Sequence, residues 1–344
     1  MLKKVIISGI NGQDGAYLAE KLLNKKKYKI YGILRRGSTK TIERLVELGI
    51  DRKIHFLRCD ITEHQAVQKF IENIKPDYFY NLAAQSFVEY SFENPFNTFD
   101  VNSNAVLNIL ETLRRNKFFN CRFYQASTSE MFGNTVKKKN QIIDIQDNFD
   151  PVSPYAISKL SAHHLVKIYR ESFNLFACSG VLFNHESPLR GDEFVTQKII
   201  KNLINQKYKQ GPILELGNID SKRDWGHAKD YVEAMIKINE YKKPKDYVIA
   251  TGKSHSVREF LTKSATKIGF VPKFSGFGIN EICRDEITGK ILMKKNKKYF
   301  RQNELHYLKG NSSKAKKELK WKPKYTLDKL IDEMINFELK KLEV

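Results

Sequence analysis

The amino-acid sequence predicts an α/β chain built on a parallel sheet whose strands are joined by crossover helices. Three observations carry that prediction. Apolar runs alternate with helical patterns through the first half of the chain. The runs are near-continuous rather than alternating, as strands covered on both faces require. A glycine-rich turn follows the first run and opens onto a helix. At 344 residues the chain has room for about two domains. Its 41% hydrophobic content supports a large core rather than disorder.

Strands are expected at Lys4–Ser8, Lys29–Leu34, Ile54–Arg58, Tyr78–Asn81, Phe123–Ser127 and Ala177–Phe183, which together are rich in Val, Ile, Phe and Tyr. Helical segments lie between them, among them Ala16–Leu23, Asn104–Asn116 and Pro154–Phe173. The second half is more irregular, punctuated at Gly211-Pro212, Pro272 and Gly276–Gly278, and it ends in an amphipathic helix near Thr326–Lys341. There is no internal repeat and no low-complexity segment.

Composition narrows the function classes. Lys3-Lys4 ahead of Val5-Ile6-Ile7 superficially resembles a secretory leader. The apolar stretch is too short, however, and runs into polar Asn11-Gly12-Gln13-Asp14 with no small-residue cleavage site, so it reads as a buried first strand of a cytoplasmic protein. No apolar run approaches the roughly 20 residues that cross a bilayer, so no membrane partner is expected. Cys59, Cys121, Cys178 and Cys283 lie far apart without a CxxC pair. They fit packing residues in a reducing compartment and predict neither a disulfide framework nor a metal site. Lys and Arg outnumber Asp and Glu by 60 to 39, a net charge of +21. The lysines are scattered in short clusters such as Lys25-Lys26-Lys27 and Lys137-Lys138-Lys139. Without a basic stripe interleaved with stacking aromatics, solvated faces rather than a nucleic-acid partner are expected.

The first chemical signal is Gly9-Ile10-Asn11-Gly12-Gln13-Asp14-Gly15 after the first strand. Glycine at Gly9, Gly12 and Gly15 allows a tight turn and lets a pyrophosphate sit against backbone N–H groups at a helix N-terminus. A glycine triplet alone is weak, but its place between strand and helix points to a Rossmann-type, doubly wound dinucleotide-binding sheet. The second strand ends about twenty residues on, where an NAD enzyme places an acid. Here Arg35-Arg36-Gly37-Ser38 occupies that place, and Arg35, Arg36 and Ser38 suit a 2′-phosphate. NADP is therefore the predicted cofactor, with a solvated basic loop as the alternative.

The second signal is Tyr155 and Lys159 in the helix that begins at Ser153-Pro154, a serine N-cap followed by proline at the first helical position. The i,i+4 spacing puts phenol and ammonium on one face, where the ammonium is expected to lower the phenol's pKa. A lone YxxxK is common, and a surface pair is the default reading. Context strengthens it: Ser127-Thr128-Ser129-Glu130 ends the preceding strand, and ligands bind beyond the carboxyl ends of strands in open α/β sheets. Thr128 and Glu130 are thus expected to share a cleft with Tyr155.

These residues, with Asn81-Leu82-Ala83-Ala84, resemble the extended short-chain dehydrogenase/reductase superfamily. Several stretches closely resemble GDP-mannose 4,6-dehydratases: Gly9–Gly15, Arg35-Arg36, Ala126–Glu130, Asn184–Pro188, Leu216–Val232, Thr251–Phe260 and Tyr299-Phe300-Arg301. The resemblance covers essentially the whole chain. It implies a smaller α/β substrate-binding domain beside the Rossmann-type sheet, with residues 1–183 plus about 226–253 in the nucleotide domain and about 184–225 plus 254–344 in the other. It also implies an internal redox elimination on a GDP-linked manno sugar. Tyr155 would take the C4 hydroxyl proton while hydride passes to NADP, with Thr128 on the same oxygen and Lys159 tuning Tyr155. Glu130 would abstract the C5 proton, water would leave from C6, and the hydride would return there. A related dehydratase group carries an Asp-Glu pair where this chain has Ser129-Glu130, so Glu130 would act as base and then acid.

The resemblance places Asn11, Gln13 and Asp14 in the phosphate turn, Asp60 and Ile61 at the adenine, and Leu82, Ala84 and Ser86 along the cofactor groove. His185 and Arg190 would lie beside the nicotinamide half. Asn184, Lys198, Arg223, Arg301 and Glu304 are the nucleotide-sugar candidates, since a pyrophosphate needs cationic partners. Arg35–Glu43 resembles a loop that reaches a neighbouring subunit's cofactor site, which implies a homotetramer. The chain departs from the usual family pattern at Phe87, Asn97, Leu189, Ser161, His163, Gln197 and Lys201. Phe87 adjoins the expected cleft around sugar C5–C6, so GDP-mannose and a GDP-manno-heptose both stay open as substrates. A nucleotide-sugar 4-epimerase, a reductase and a nucleic-acid-binding module are the competing readings.

Overall fold

The computed structural model describes residues 1–35, 42–133, 135, 141–300, 305 and 307–342. Its centre is a seven-stranded, all-parallel sheet: β1 (Lys3–Ser8), β2 (Tyr28–Leu34), β3 (His55–Arg58), β4 (Tyr78–Asn81), β5 (Arg122–Thr128), β6 (Ala177–Leu182) and β7 (Tyr247–Ile249). The spatial order is β7-β6-β5-β4-β1-β2-β3, so chain direction across the sheet reverses between β1 and β4. The first six strands stand where the sequence places them, to within a residue or so at most ends. The seventh was not expected. Three residues, Tyr247-Val248-Ile249, are too short to signal a strand, and they gain their conformation from pairing with Gly180, Val181 and Leu182.

The near-continuous apolar character of the strands follows from two covered faces. Val5, Ile7, Tyr80 and Tyr124 pack with α1 (Gln13–Asn24) in one cluster, whereas Ile6, Phe79 and Phe123 belong to another. That second cluster holds Val67 and Ile71 of α2 (His64–Ile74), Ile109 and Leu110 of α3 (Ala105–Arg115), and Ala162 and Val166 of α4 (Pro154–Phe173). The expected Ser153 cap is present: its hydroxyl accepts from the Ala156 N–H at 3.1 Å, with Pro154 in the first turn. The Asn104–Asn116 helix is extended at its start by a wide turn over Asp100–Asn104.

A second core joins α5 (Val195–Tyr208), α7 (Val257–Ile268) and α9 (Leu327–Lys340) to a four-stranded sheet. Leu203, Phe260, Leu261, Ile331 and Met334 are among its fully buried members. That sheet runs Pro272–Ser275, Ile282–Asp285, Ile291–Lys295, Leu214–Leu216, antiparallel except for the last pair. Between α5 and α7, α6 (Ala228–Glu240) returns the chain to the first core.

One stretch expected with the smaller domain packs elsewhere. Ala315 and Leu319 of α8 (Ser313–Leu319) and Trp321 belong to the first core. The Trp321 indole N–H donates to the Asp230 carbonyl at 2.8 Å, and the Asp230 carboxylate accepts from the N–H groups of Lys324 (2.7 Å) and Tyr325 (3.0 Å). Burying the indole with its N–H satisfied outweighs chain proximity to α9.

The edge strand β7 is anchored by charge. Arg170 of α4 makes two parallel bonds to the carboxylate of Asp246, at 2.9 and 2.7 Å, and the same carboxylate accepts from the Ser179 N–H. Both side chains are largely buried, 13% and 11% exposed. Removing one partner leaves an uncompensated charge. Asp246→Ala is expected to lower the unfolding free energy by about 3–5 kcal/mol, measured by urea denaturation.

Candidate active site

Where the strand order reverses, polar side chains at the carboxyl ends of β1 and β4 and in the middle of β5 hold one another. The Ser8 hydroxyl donates to Asn81 Oδ1 (2.5 Å) and the Asn81 amide donates to Gln125 Oε1 (2.8 Å). Ser8 Oγ also accepts from the N–H groups of Leu82 and Ala83, at 3.1 and 3.2 Å. The exits of β1 and β4 therefore lie close together. Gly9 sits at φ +66°, and a Cβ there would come within 2.8 Å of the Leu82–Ala83 backbone. At Gly15 a Cβ would be 2.2 Å from the Gly9 carbonyl oxygen, so the turn closes only with glycine. Gly12 caps α1 without a side-chain bond, which leaves first-turn N–H groups directed at the cleft.

That cleft has a volume of about 970 Å³. It is lined by every described candidate from the sequence. The cofactor set comprises Gly9, Asn11, Gly12, Gln13, Asp14, Gly15, Arg35, Asp60, Ile61, Leu82, Ala84, Ser86, His185 and Arg190. The reactive set is Thr128, Glu130, Tyr155 and Lys159, and the sugar-side set is Asn184, Lys198 and Arg223. Arg36, Ser38, Arg301 and Glu304 lie outside the described residues.

Thr128 ends β5, and its Oγ1 accepts from the Glu130 N–H at 3.2 Å, so the hydroxyl starts the short turn Ser129–Phe132 that carries Glu130. Met131 and Phe132 are fully buried and pin that turn. Tyr155 lies in the first turn of α4 and lines the cleft beside Thr128. Burial pushes the Tyr155 phenol up to about 12, the Glu130 carboxylate adds to that, and the Thr128 hydroxyl and the Arg190 guanidinium act the other way. Burial pulls the Lys159 ammonium down to about 8. The expected lowering of the phenol by Lys159 is thus corrected. Desolvation dominates, and the ammonium is turned to the Ala126 carbonyl at 3.1 Å, where it braces the strand end beside Thr128.

Gln13 and Asp14, expected at the phosphate turn, also tie that turn to His185 and Ser187. Gln13 donates to the His185 carbonyl (3.2 Å) and its Oε1 accepts from the Ser187 hydroxyl (2.6 Å). His185 Nε2 lies 2.8 Å from Asp14 Oδ2, and Nδ1 lies 2.8 Å from the Phe183 carbonyl, an arrangement that suits an imidazolium donating to both. Its ring stacks on Tyr231 at 4.4 Å. On the sugar side, Lys198 donates to the Glu215 carbonyl (2.7 Å) and lies 3.7 Å over the Tyr299 ring. Arg223 donates to the Leu305 carbonyl at 2.6 Å, and Arg190 pairs with Glu186 at 3.0 Å and stacks on Phe194.

A family model for GDP-mannose 4,6 dehydratases matches residues 6–334. The chain is 44% identical to a GDP-mannose 4,6 dehydratase of Drosophila melanogaster, covering 98% of this chain and 86% of that one. It is 43% identical to the Homo sapiens protein of the same name, over 97% and 91% of the two chains. The chain belongs to the GDP-mannose 4,6-dehydratase family. A UDP-glucose 4-epimerase from Thermotoga maritima superposes with a TM-score of 0.81 at 20% identity, over 98% of this chain and 99% of the other, and shares the fold.

Of the positions that depart from the family pattern, Phe87 and Asn97 line the cleft. The others are absorbed elsewhere. Leu189 is buried in the first core, Ser161 bonds Ser103 (2.8 Å), His163 bonds Ser127 (3.1 Å), Gln197 bonds Glu338 (2.8 Å) and Lys201 pairs with Asp192 (2.6 Å). Sequence reasoning missed several residues that shape a dehydratase site of this kind. Asn102 holds the loop of Ser86 and Phe87 by bonds to the Gln85 N–H and carbonyl, 2.9 and 3.1 Å, and donates to Ser158 of α4. Asp224, inside the Lys222–Trp225 stretch, is fully buried and accepts from Thr251, Gly252 and Gly310. Polar residues ending or interrupting apolar strands, Ser8, Asn81 and Gln125, were the signal available for the ladder.

The Asp14–His185 pair makes stability pH-dependent. Burial alone would raise the Asp14 carboxyl, but the imidazolium beside it holds it below its ordinary 3.8. Burial alone would lower His185, but Asp14 and the Phe183 carbonyl hold it above its ordinary 6.5. The depressed acid stabilises fully above 3.8 and loses that as pH falls through its folded value. The raised base stabilises fully below 6.5 and loses that as pH rises through its folded value. The melting-temperature gap between wild type and His185→Gln should therefore be widest between pH 3.8 and 6.5 and narrow on either side.

Proposed function

We propose that the chain converts a GDP-linked manno sugar, GDP-mannose or a GDP-manno-heptose, to its 4-keto-6-deoxy form with NADP as a recycled cofactor. The observation that carries the reading is the meeting of Thr128, Glu130 and Tyr155 with the glycine turn in one cleft. A dinucleotide fits what is there: Gly9 and Gly15 leave no room for side chains, and the capless start of α1 offers N–H donors to a pyrophosphate. Held there by the glycine turn and the first-turn N–H groups, a bound NADP would supply the hydride acceptor for sugar C4 and the hydride donor for C6.

The chain's own residues handle the protons. Tyr155 Oη, beside the Thr128 hydroxyl, takes the proton of the C4 hydroxyl. Tyr155 takes that proton as a phenolate; burial opposes this form, pushing the phenol up to about 12, and Arg190 is the described cation that favours it. Lys159 fixes the Ala126 carbonyl and with it the end of β5. Oxidation at C4 acidifies C5–H, and Glu130 takes that proton and passes it to the departing C6 hydroxyl, which leaves as water. The proton gained at Tyr155 balances the one added at C5, so the net change is loss of one water. Asn184, Lys198, Arg223, Arg301 and Glu304 are read as the nucleotide-sugar contacts. The division into residues 1–183 with 226–253 and 184–225 with 254–344 is proposed apart from the α8 stretch. A homotetramer is proposed from Arg35–Glu43, of which residues 36–41 lie outside the described structure. A cytoplasmic location is supported by four free, buried cysteines.

NADP preference rests on Arg35 at the end of β2, lining the cleft 3.9 Å from Asp60, together with Arg36 and Ser38 in sequence. Arg35→Ala with Arg36→Ala should weaken NADP at least about tenfold more than NAD, read by equilibrium binding of each; equal losses refute the 2′-phosphate contact. The activity itself is checked by mass spectrometry on GDP-mannose and GDP-manno-heptose side by side, without added reductant. Loss of one water from either sugar is expected, abolished in Glu130→Gln. An unchanged mass with a 4-epimer as product, insensitive to Glu130→Gln, would make the chain an epimerase instead.

A further inference from the structure

Arg44 has no part in the reading above, yet it touches two of the segments that carry it. It lies in a short helix, Glu43–Glu47, that follows the Arg35–Arg36 stretch. The neighbouring Leu45 is fully buried in the first core and fixes where that helix sits. The Arg44 guanidinium donates from Nε to the Leu189 carbonyl at 2.7 Å and from NH1 to the Asn11 carbonyl at 3.1 Å. Asn11 stands inside the glycine turn, and Leu189 directly precedes Arg190.

Each of those carbonyls belongs to a peptide unit whose other end is also held. The N–H that follows Asn11 is that of Gly12, which donates to the Gly9 carbonyl at 3.0 Å and closes the turn. The N–H that follows Leu189 is that of Arg190, which donates to the Ser187 carbonyl at 3.0 Å. With both ends of both units fixed, neither can rotate without breaking a bond. Gln13 with Ser187 and Asp14 with His185 tie the same two segments together. Arg44 differs from them in coming from a third segment, the one that leads from Arg35.

We propose that Arg44 is a positioning residue that sets the glycine turn and the Arg190 loop in one fixed relation. Its planar fork reaches two carbonyls at once, which a single ammonium does not. Without it the turn presents its N–H groups less well to the dinucleotide, and Arg190 drifts from Tyr155. The proposal rests on the NADP-dependent reading for its effect on turnover but not for its effect on the backbone, and the test separates the two.

Arg44→Ala and Arg44→Lys are compared with wild type, as full chains, by amide hydrogen exchange without ligand and then by NADP binding and steady-state kinetics. Arg44→Ala should exchange faster at residues 9–15 and 186–190 while α3 and α4 stay as in wild type. It should also bind NADP about tenfold or more weakly and lose kcat, the scale of one lost charge-assisted bond. Arg44→Lys should fall between the two. Wild-type exchange in both segments of Arg44→Ala overturns the proposal. So does wild-type NADP affinity and kcat in Arg44→Lys, which decides the matter if the alanine variant does not fold. Faster exchange in a chain whose wild type neither binds NADP nor dehydrates the sugar would sustain Arg44 and reject the functional reading.

Discussion

The Ser8 hydroxyl is the point on which the cleft depends. It donates to Asn81 and accepts from the Leu82 and Ala83 N–H groups, so one side chain holds together the two strands at which the sheet changes direction. A parallel sheet that reverses order must open a crevice there, because its successive connections leave on opposite faces. Left alone, that opening would expose unpaired backbone groups at both strand ends. Ser8 Oγ satisfies the Leu82 and Ala83 N–H groups, Asn81 bonds both Ser8 and Gln125, and the glycine turn approaches β4 closely. The glycine turn, the Leu82–Phe87 loop and the Thr128 strand end all take their places from this junction.

The excess of positive charge finds a structural account in the same spirit. Several lysines and arginines are bonded to backbone carbonyls at helix ends. Lys4 donates to Ile74 at the end of α2, Arg122 to Asn239 and Tyr241 at the end of α6, and Lys290 to Gln206 near the end of α5. Lys207 donates to Gly269 just past α7, and Lys237 to Leu319 and Lys320 at the end of α8. Helix C-termini carry unsatisfied carbonyls and the negative end of the helix dipole, so each is a natural seat for a cation. Five helices are closed in this way by residues distant in sequence. Part of the basic excess thus has a structural role at helix ends.

What the sequence made legible follows from the range of the forces involved. Strands β1 to β6 and the helix Pro154–Phe173 could be read because burial on both faces and the Ser153-Pro154 cap are local signals. The glycine turn was legible because close backbone approach admits only one residue type at Gly9 and Gly15. Tyr247–Ile249 could not be read, since a three-residue strand exists only through its neighbour. Asn102, Arg44 and Asp224 were equally hidden, because their partners lie across the fold and no spacing announces them. The Tyr155 phenol shows the remaining limit. Residue identity and spacing place Lys159 beside it, but its pKa depends on how much water the folded chain removes and on where the ammonium turns.

The crossing of the C-terminal region between the two cores bears on how the chain is assembled as it leaves the ribosome. The first core waits for Ala315, Leu319 and Trp321, and the second waits for Leu330, Ile331 and Met334. Neither can close its apolar surface before that last region has been made, although most of the central sheet is synthesised far earlier. Through most of translation both cores present sticky surface, and the Trp321 indole reaching the Asp230 carbonyl comes late. A chain organised this way depends during synthesis on whatever shields nascent apolar surface in the cell.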